Sequence, residues 1–204
     1  MRILIFPGMG ATKEMYRKLI SHHPKIVGCD WPEISPDDDF QSLAKKCIQE
    51  FKITENDIVA GCSMGGMIAT EIFVKAKCKK LILIGSCLHP SAVPLKSLSL
   101  WGSKLLNPSL FKIFSRFVPL SLEVKSSLLS RPDFVKWSLG ALHRWNGVAS
   151  LEMNNVHIIH GRLDLLIPLW NVKANQVIDS GGHLIALTHA KTVADFIKVV
   201  SESE

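Results

Sequence analysis

The sequence predicts a doubly wound α/β protein, in which a mostly parallel sheet of about six strands is covered by helices on both faces. Two observations support this class. Short apolar runs alternate with amphipathic helical patterns, and most of the runs end at glycine or proline. Continuous runs of Ile, Val and Leu are typical of strands that are buried on both faces, as in parallel sheets. The runs are RILIF, KIVGC, DIVAG, LILIG, VHIIH and NQVID.

The length and composition fit a single globular unit. A chain of 204 residues can form one domain with a substantial core, or one domain with an insertion. No apolar run approaches the roughly 20 residues of a membrane span, and the apolar start is too short for a secretion signal. We therefore expect a soluble, cytoplasmic protein. Five scattered cysteines without a C-x-x-C pair fit reduced, mostly buried thiols better than disulfides or a zinc site.

Helical patterns fill the intervals between the apolar runs. In residues 35–51, apolar side chains recur at helical spacing. Ser35 and Pro36 are expected to open this helix, because serine caps helix N-termini and proline is tolerated in the first turn. The closing segment KTVADFIKVV repeats the same apolar spacing, which predicts a last helix after the last strand.

One long segment interrupts the alternation. Residues 86–150 connect two strands, and this connection is far longer than an ordinary one. Helical patterns begin at Pro108 and at Pro132, since proline is favoured at the start of helices. We interpret residues 86–150 as a helical cap insertion over the C-terminal edge of the sheet, and residues 1–85 with 151–204 as the α/β core.

The segment GCSMG, residues 61–65, fits the G-x-S-x-G pattern of a nucleophile elbow. It follows the run DIVA and precedes a helical pattern. So sharp a turn leaves no room for side chains around the serine, and it places the hydroxyl at a helix N-terminus, where amide dipoles favour developing negative charge. The pattern predicts Ser63 as the nucleophile. The alternative is a tight turn that only needs small residues.

A serine nucleophile needs a base, and the base needs an acid that orients it. The elbow predicts the chain order Ser, then Asp or Glu, then His, with the acid and the His following late strands. Asp164 follows VHIIHGRL and His183 follows NQVIDSGG, so we predict Asp164 as the acid and His183 as the base. Three other residues could supply the acid or the base, but their positions in the chain fit these roles less well. His160 ends a strand, Asp179 lies on the strand before the His183 loop, and His189 falls at the start of the last helix.

The oxyanion hole is expected to combine two backbone amides, one after the nucleophile and one from the loop after an early strand. These amides belong to Met64 and, within FPGMGATK, to Met9. The same loop offers a rival interpretation, because a G-x-G followed after about 20 residues by an acid, here Asp30, is also found in dinucleotide sites. That interpretation lacks the third glycine, whose place is taken by Lys13, and it leaves the Ser, Asp and His unexplained.

The segments FPGMG, GCSMGG, HGRLDLLIP and GGHL, in this order and spacing, resemble the α/β-hydrolase superfamily. The resemblance covers the chain apart from the predicted cap. It implies a capped serine hydrolase, esterase-like or thioesterase-like, that requires no metal or cofactor. The antiparallel strands that usually open this fold have no counterpart here, so a minimal sheet of about six parallel strands is expected. The alternative function is a protein that binds a small molecule or partner with slow or no turnover, since fold does not determine function.

The predicted cap also carries most of the charge imbalance. Within residues 86–150, eight basic residues face two acids, which accounts for the net charge of +6 of the whole chain. In one interpretation, the many Phe and Trp residues of this segment pack it onto the sheet while the bases face water. In the other, a basic surface over an apolar acyl pocket attracts an anionic or carrier-linked ester or thioester. Reversing Lys104, Lys112 and Arg116 to Glu would then raise KM for an anionic substrate but not for a neutral ester. No nucleic-acid-binding motif accompanies the charge, so no nucleic-acid partner is expected.

Overall fold

The computed structural model describes residues 1–94, 131–148, 151 and 153–203. Within these ranges, six strands form one sheet: β1 (Ile3–Phe6), β2 (Ile26–Gly28), β3 (Ile58–Cys62), β4 (Lys80–Ile84), β5 (Val156–Gly161) and β6 (Gln176–Ile178). Their order is β2-β1-β3-β4-β5-β6, and every neighbouring pair is parallel. The predicted parallel sheet is confirmed, and each of the six apolar runs supplies one strand.

Helices cover both faces of the sheet. The helices are α1 (Arg17–Ser21), α2 (Phe40–Phe51), α3 (Met64–Ala76), α4 (Pro132–Arg144), α5 (Ile185–Thr188) and α6 (Ala190–Glu202), with short 3-10 turns at Lys13–Tyr16, Pro90–Ala92, Met153–Asn155 and Leu169–Asn171. Helices α2, α3 and α4 pack on one face, and α1, α5 and α6 pack on the other. Side chains alternate along each strand, so Leu4 and Phe6 enter the first layer while Ile3 and Ile5 enter the second. The doubly wound architecture is therefore confirmed.

Helix α2 begins later than the sequence pattern predicts. Its N-cap is Asp39, whose carboxylate accepts a hydrogen bond from Ser42 N at 2.8 Å, while Asp39 N donates to Ser42 Oγ at 2.9 Å. Ser35 lies in the preceding turn, where its N–H donates to Asp38 Oδ2 at 2.7 Å. The prediction that Ser35 and Pro36 open the helix was wrong, because the reciprocal pair of Asp39 and Ser42 forms a capping box that satisfies the first-turn donors.

Helix α4 lies within the predicted cap, and it begins at Pro132 as the sequence indicates. Val135 packs against Met9 and Leu184, which lie in loops at the C-terminal edge of the sheet. Further along, Trp145 Nε1 donates to Glu71 Oε1 of α3 at 2.9 Å. The helix predicted from Pro108 lies outside the described residues, and the domain boundaries at residues 86–150 remain a prediction.

The basic residues of the predicted cap are only partly within the described ranges. The guanidinium of Arg131 lies 4.8 Å from the ring centre of Phe134, and Arg144 Nη2 donates to Asp38 O at 3.2 Å. Both arginines are exposed, so these contacts are made at the surface of the fold. The three residues chosen for charge reversal lie outside the described residues. In the part of the chain that the structure describes, no helix is long and apolar enough to cross a membrane.

The strand order places a crevice between β1 and β3. From β1 the chain runs outward to β2, and it then returns past β1 to form β3 on the other side. At such a switch point, the connections leave the carboxyl ends of two adjacent strands in opposite directions and open a crevice in which ligands bind. The loop after β1 contains Met9, and β3 leads directly into Ser63. The strand order alone therefore predicts a ligand site between these two loops.

Candidate active site

Ser63 occupies a strained turn between β3 and α3. Its φ of 51° and ψ of −124° lie in a region that residues with a side chain rarely adopt. The surrounding backbone fixes this conformation: Ser63 N donates to Ile84 O at 3.1 Å, and Ser63 O accepts from Gly66 N at 2.9 Å and from Ser86 Oγ at 2.6 Å. The turn therefore presents the Ser63 hydroxyl at the N-terminus of α3.

Two glycines allow this turn to pack against its neighbours. A Cβ atom on Gly61 would lie 2.2 Å from Gly65 O, inside the turn itself. A Cβ atom on Gly65 would lie 2.4 Å from both Phe6 O and Pro7 O, at the end of β1. Both distances are far below van der Waals contact, so the G-x-S-x-G spacing is imposed by the close approach of three backbone segments.

We expect Gly65→Ala to destabilise the protein by about 3 kcal/mol or more, because the added methyl group overlaps backbone that is held in the sheet. Gly140→Ala is the matched control. A Cβ atom there has Arg144 Nη1 as its nearest neighbour at 3.5 Å, and alanine favours a helix interior by about 1 kcal/mol over glycine. Urea unfolding of both variants tests this expectation. Equal midpoints would contradict the steric argument.

The structure brings the three predicted side chains together. His183 Nε2 lies 2.8 Å from Ser63 Oγ, and His183 Nδ1 lies 2.8 Å from Asp164 Oδ2. An ionised carboxylate can only accept hydrogen bonds, so Nδ1 carries the proton and Nε2 is left to accept the Ser63 hydroxyl proton. The three residues thus form one continuous chain of hydrogen bonds, in the geometry of a nucleophile, a base and an orienting acid.

Asp164 is buried, and every donor around it favours its ionised form. Burial acts to raise the pKa of Asp164, but hydrogen bonds from His160, His183 and the turn that follows outweigh it and hold the pKa well below its ordinary value. In that turn, Leu166 N and Ile167 N each donate to Oδ1 at 2.9 Å. Asp164 is therefore a carboxylate at neutral pH, as an acid that orients an imidazole must be.

The three competing residues make other contacts. Asp179 Oδ1 accepts from exposed Arg162 at 2.7 Å, and His189 Nε2 lies 3.1 Å from Ser180 Oγ. His160 is buried at the end of β5, and its Nε2 atom lies 3.3 Å from Asp164 Oδ2. The sequence predicts that His160 packs or bonds locally, and its contacts with Ile167 and Asp164 are of this kind. The available signal was its position four residues before the acid, close enough for the turn to fold back onto it.

Two backbone amides are available beside Ser63. Met64 is the first residue of α3, and Met9 follows Gly8, whose Cβ position lies 3.4 Å from Ser63 Cβ. Gly8 N already donates to Tyr16 Oη at 3.2 Å. Within the described residues, the N–H groups of Met9 and Met64 have no hydrogen-bond acceptor. These two amides can therefore serve as donors to an oxyanion, and that assignment remains a prediction.

Other reactive groups near the site are neutral or already paired. Burial raises the pKa of the Cys62 thiol to about 12, so it does not compete with Ser63 as an anionic nucleophile. All five cysteines are free thiols, and all are buried. Asp30, the acid of the rival dinucleotide interpretation, accepts from Lys13 N at 3.0 Å. In the ranges that the structure covers, no group of three or more His, Cys, Asp and Glu side chains is placed to hold a metal ion.

Solved structures share this fold at low sequence identity. A lipase-esterase related protein from Clostridium acetobutylicum aligns with a TM-score of 0.73 and 16% identity, over 98% of this chain and 94% of that one. The RedJ thioesterase of the prodiginine biosynthetic pathway in Streptomyces coelicolor aligns with a TM-score of 0.69 and 14% identity, over 99% and 85%. An esterase from Thermogutta terrifontis aligns with a TM-score of 0.67 and 15% identity, over 98% and 88%.

The two comparisons made at the level of sequence found no match. No protein-family model matches the chain, and no curated protein matches it. The structural likenesses show that the chain has the α/β-hydrolase fold, as its four motifs predict, and that its structural neighbours include esterases and thioesterases. At these identities the likeness extends to the fold alone, so the chemistry has to be argued from the residues of this chain.

Proposed function

We propose that this chain is a serine hydrolase that cleaves a small or acyl-chain ester or thioester through an acyl-enzyme. The observation that carries the proposal is the chain of hydrogen bonds from Ser63 Oγ through His183 to the buried carboxylate of Asp164. The fold and its esterase and thioesterase neighbours support the same class of reaction. Each step below uses only side chains and backbone amides of this chain.

Acylation begins when Ser63 Oγ attacks the acyl carbon of the substrate. His183 Nε2 takes the hydroxyl proton, and the imidazolium that forms is stabilised by Asp164 at Nδ1. Negative charge develops on the former carbonyl oxygen, and the amides of Met9 and Met64 are the proposed donors to it. Collapse of this intermediate breaks the bond to the leaving group, which takes the proton from His183 and departs as an alcohol or thiol.

Deacylation repeats the same chemistry with water. His183, again neutral, removes a proton from a water molecule, which attacks the acyl carbon of the acyl-enzyme. The oxyanion forms a second time, and its collapse releases the carboxylic acid and returns the proton to Ser63 Oγ. Because both half-reactions need the Nδ1–H tautomer of His183, the hydrogen bond to Asp164 is used twice in each turnover.

The proposed substrates include thioesters as well as oxygen esters. The neighbour from the prodiginine pathway is a thioesterase, and another is a type II thioesterase from the borrelidin biosynthetic cluster. The excess of basic residues in 86–150 suits an anionic acyl donor or one attached to an acidic carrier. We therefore propose that thioesters on coenzyme A or a carrier protein be assayed beside simple esters.

Intact mass after treatment with a fluorophosphonate tests the proposed function directly. Fluorophosphonates phosphonylate a serine only when a base has activated it, so we expect one adduct on the wild type and none on Ser63→Ala. A single adduct that persists on Ser63→Ala would place the nucleophile elsewhere. No adduct on either protein would contradict the proposal and favour the binding protein without turnover.

A further inference from the structure

His160 is a buried polar side chain that the steps above do not use. Its side chain is completely shielded from solvent, as is that of Asp164. His160 Nε2 lies 2.7 Å from Ile167 O and 3.3 Å from Asp164 Oδ2. Both of these neighbours are hydrogen-bond acceptors, and they belong to the turn that carries the acid.

The surroundings of the two ring nitrogens of His160 indicate which of them carries a proton. Nε2 lies 2.7 Å from the carbonyl oxygen of Ile167, so it carries a proton and donates to that oxygen. The Asp164 carboxylate is 3.3 Å from the same nitrogen. Nδ1 is buried and has no hydrogen-bond partner within the described residues. A proton on Nδ1 would be a buried donor without an acceptor, which is costly. The Nε2–H group of His160 therefore joins the end of β5 to the turn that carries Asp164.

We propose that His160 is a positioning residue for Asp164, and through it for His183. The inference rests on the proposed function, because it assigns a role within the same triad. By donating to Ile167 O, His160 closes the turn from the end of β5 back onto itself. Ile167 N in turn donates to Asp164 Oδ1 at 2.9 Å, so the residue that His160 holds also holds the carboxylate whose other oxygen accepts from His183 Nδ1. One histidine thus fixes the direction from which the acid orients the other.

The test compares two substitutions of equal length. His160→Gln keeps an N–H donor at the end of the side chain, whereas His160→Met has a similar length and no donor. His160→Leu is made in parallel as a second variant without a donor. His157→Gln and His157→Met are the controls, because His157 lies on the same strand and points to the opposite face, and no partner of its Nε2 atom is found in the described part of the chain.

We expect His160→Met to lower kcat about tenfold, the effect of one lost buried hydrogen bond, with KM changed by less than about twofold. His160→Gln should recover kcat to within about threefold of the wild type, and the His157 variants should match the wild type in both kcat and KM. Equal losses in His160→Gln and His160→Met would overturn the proposal.

A measurement without substrate separates this inference from the proposed function. Side-chain nitrogen NMR of His183 at neutral pH reports which ring nitrogen carries the proton. We expect the Nδ1–H form, hydrogen-bonded to Asp164, in the wild type and His160→Gln, and a mixture with the Nε2–H form in His160→Met and His160→Leu. The same tautomer in all four proteins would refute the positioning role. If the wild type fails to react with the fluorophosphonate, the proposed function fails, while the NMR measurement still decides whether His160 acts on His183.

Discussion

Replacing Ser63 by alanine is expected to lower kcat by about 10⁶, because the residual rate of a triad enzyme without its nucleophile comes only from binding and the oxyanion donors. The substitution removes one oxygen atom and keeps the Cβ atom, so the strained backbone at φ 51° is no more costly for alanine than for serine. We therefore expect the loss of activity without a loss of folding.

The measurement is steady-state hydrolysis of an activated neutral ester by wild type and variant, with thermal unfolding of each. Ser21→Ala is the control, since this serine is exposed on α1 and its hydroxyl donates to Lys18 O within its own helix. It should leave kcat unchanged. A Ser63→Ala protein that keeps more than about a tenth of the activity would refute the assignment of the nucleophile.

Replacing Asp164 by asparagine should lower kcat by about 10⁴, by analogy with measured triads. The asparagine amide can present an N–H group to His183 Nδ1, where the carboxylate now accepts at 2.8 Å. The imidazole would then carry its proton on Nε2, and it could not accept the proton of Ser63. The expected defect is thus a wrong tautomer rather than a displaced ring.

Asp179→Asn is the matched control for the acid. Asp179 lies near the His183 loop along the chain, but it is exposed and pairs with Arg162 at 2.7 Å. An exposed ion pair of this kind contributes about 0–1 kcal/mol, so the variant should resemble the wild type in both kcat and stability. If Asp164→Asn retained activity within tenfold of the wild type while Asp179→Asn did not, the two acids would have to exchange roles.

The sequence predicts the strands well because their signal is local. Each of the six apolar runs is continuous and short, and burial on both faces of a parallel sheet requires nothing more specific. The start of α2 was missed for the opposite reason. Asp39 and Ser42 each serve as the partner of the other, and this reciprocal pairing competes with the equally plausible cap at Ser35.

In the candidate site, too, some features can be predicted from the sequence and others cannot. Ser63, Asp164 and His183 can be predicted because each follows a strand, and the carboxyl ends of parallel strands meet at one edge of the sheet. The contact of His160 with Asp164 could not be predicted with equal ease. It depends on how the 161–167 turn folds back onto β5, and the segment HGRLDLLIP marks the turn without specifying that contact.

The strand order has a consequence for how the site comes into existence during synthesis. After β3, each later strand in the chain lies at the outer edge of the sheet beside the previous one. Synthesis therefore delivers the proposed nucleophile with β3, the proposed acid after β5 and the proposed base last, after β6. Under the proposed function, a nascent chain is expected to be inert until the segment with His183 has folded, so the appearance of a reactive Ser63 would mark the completion of the site.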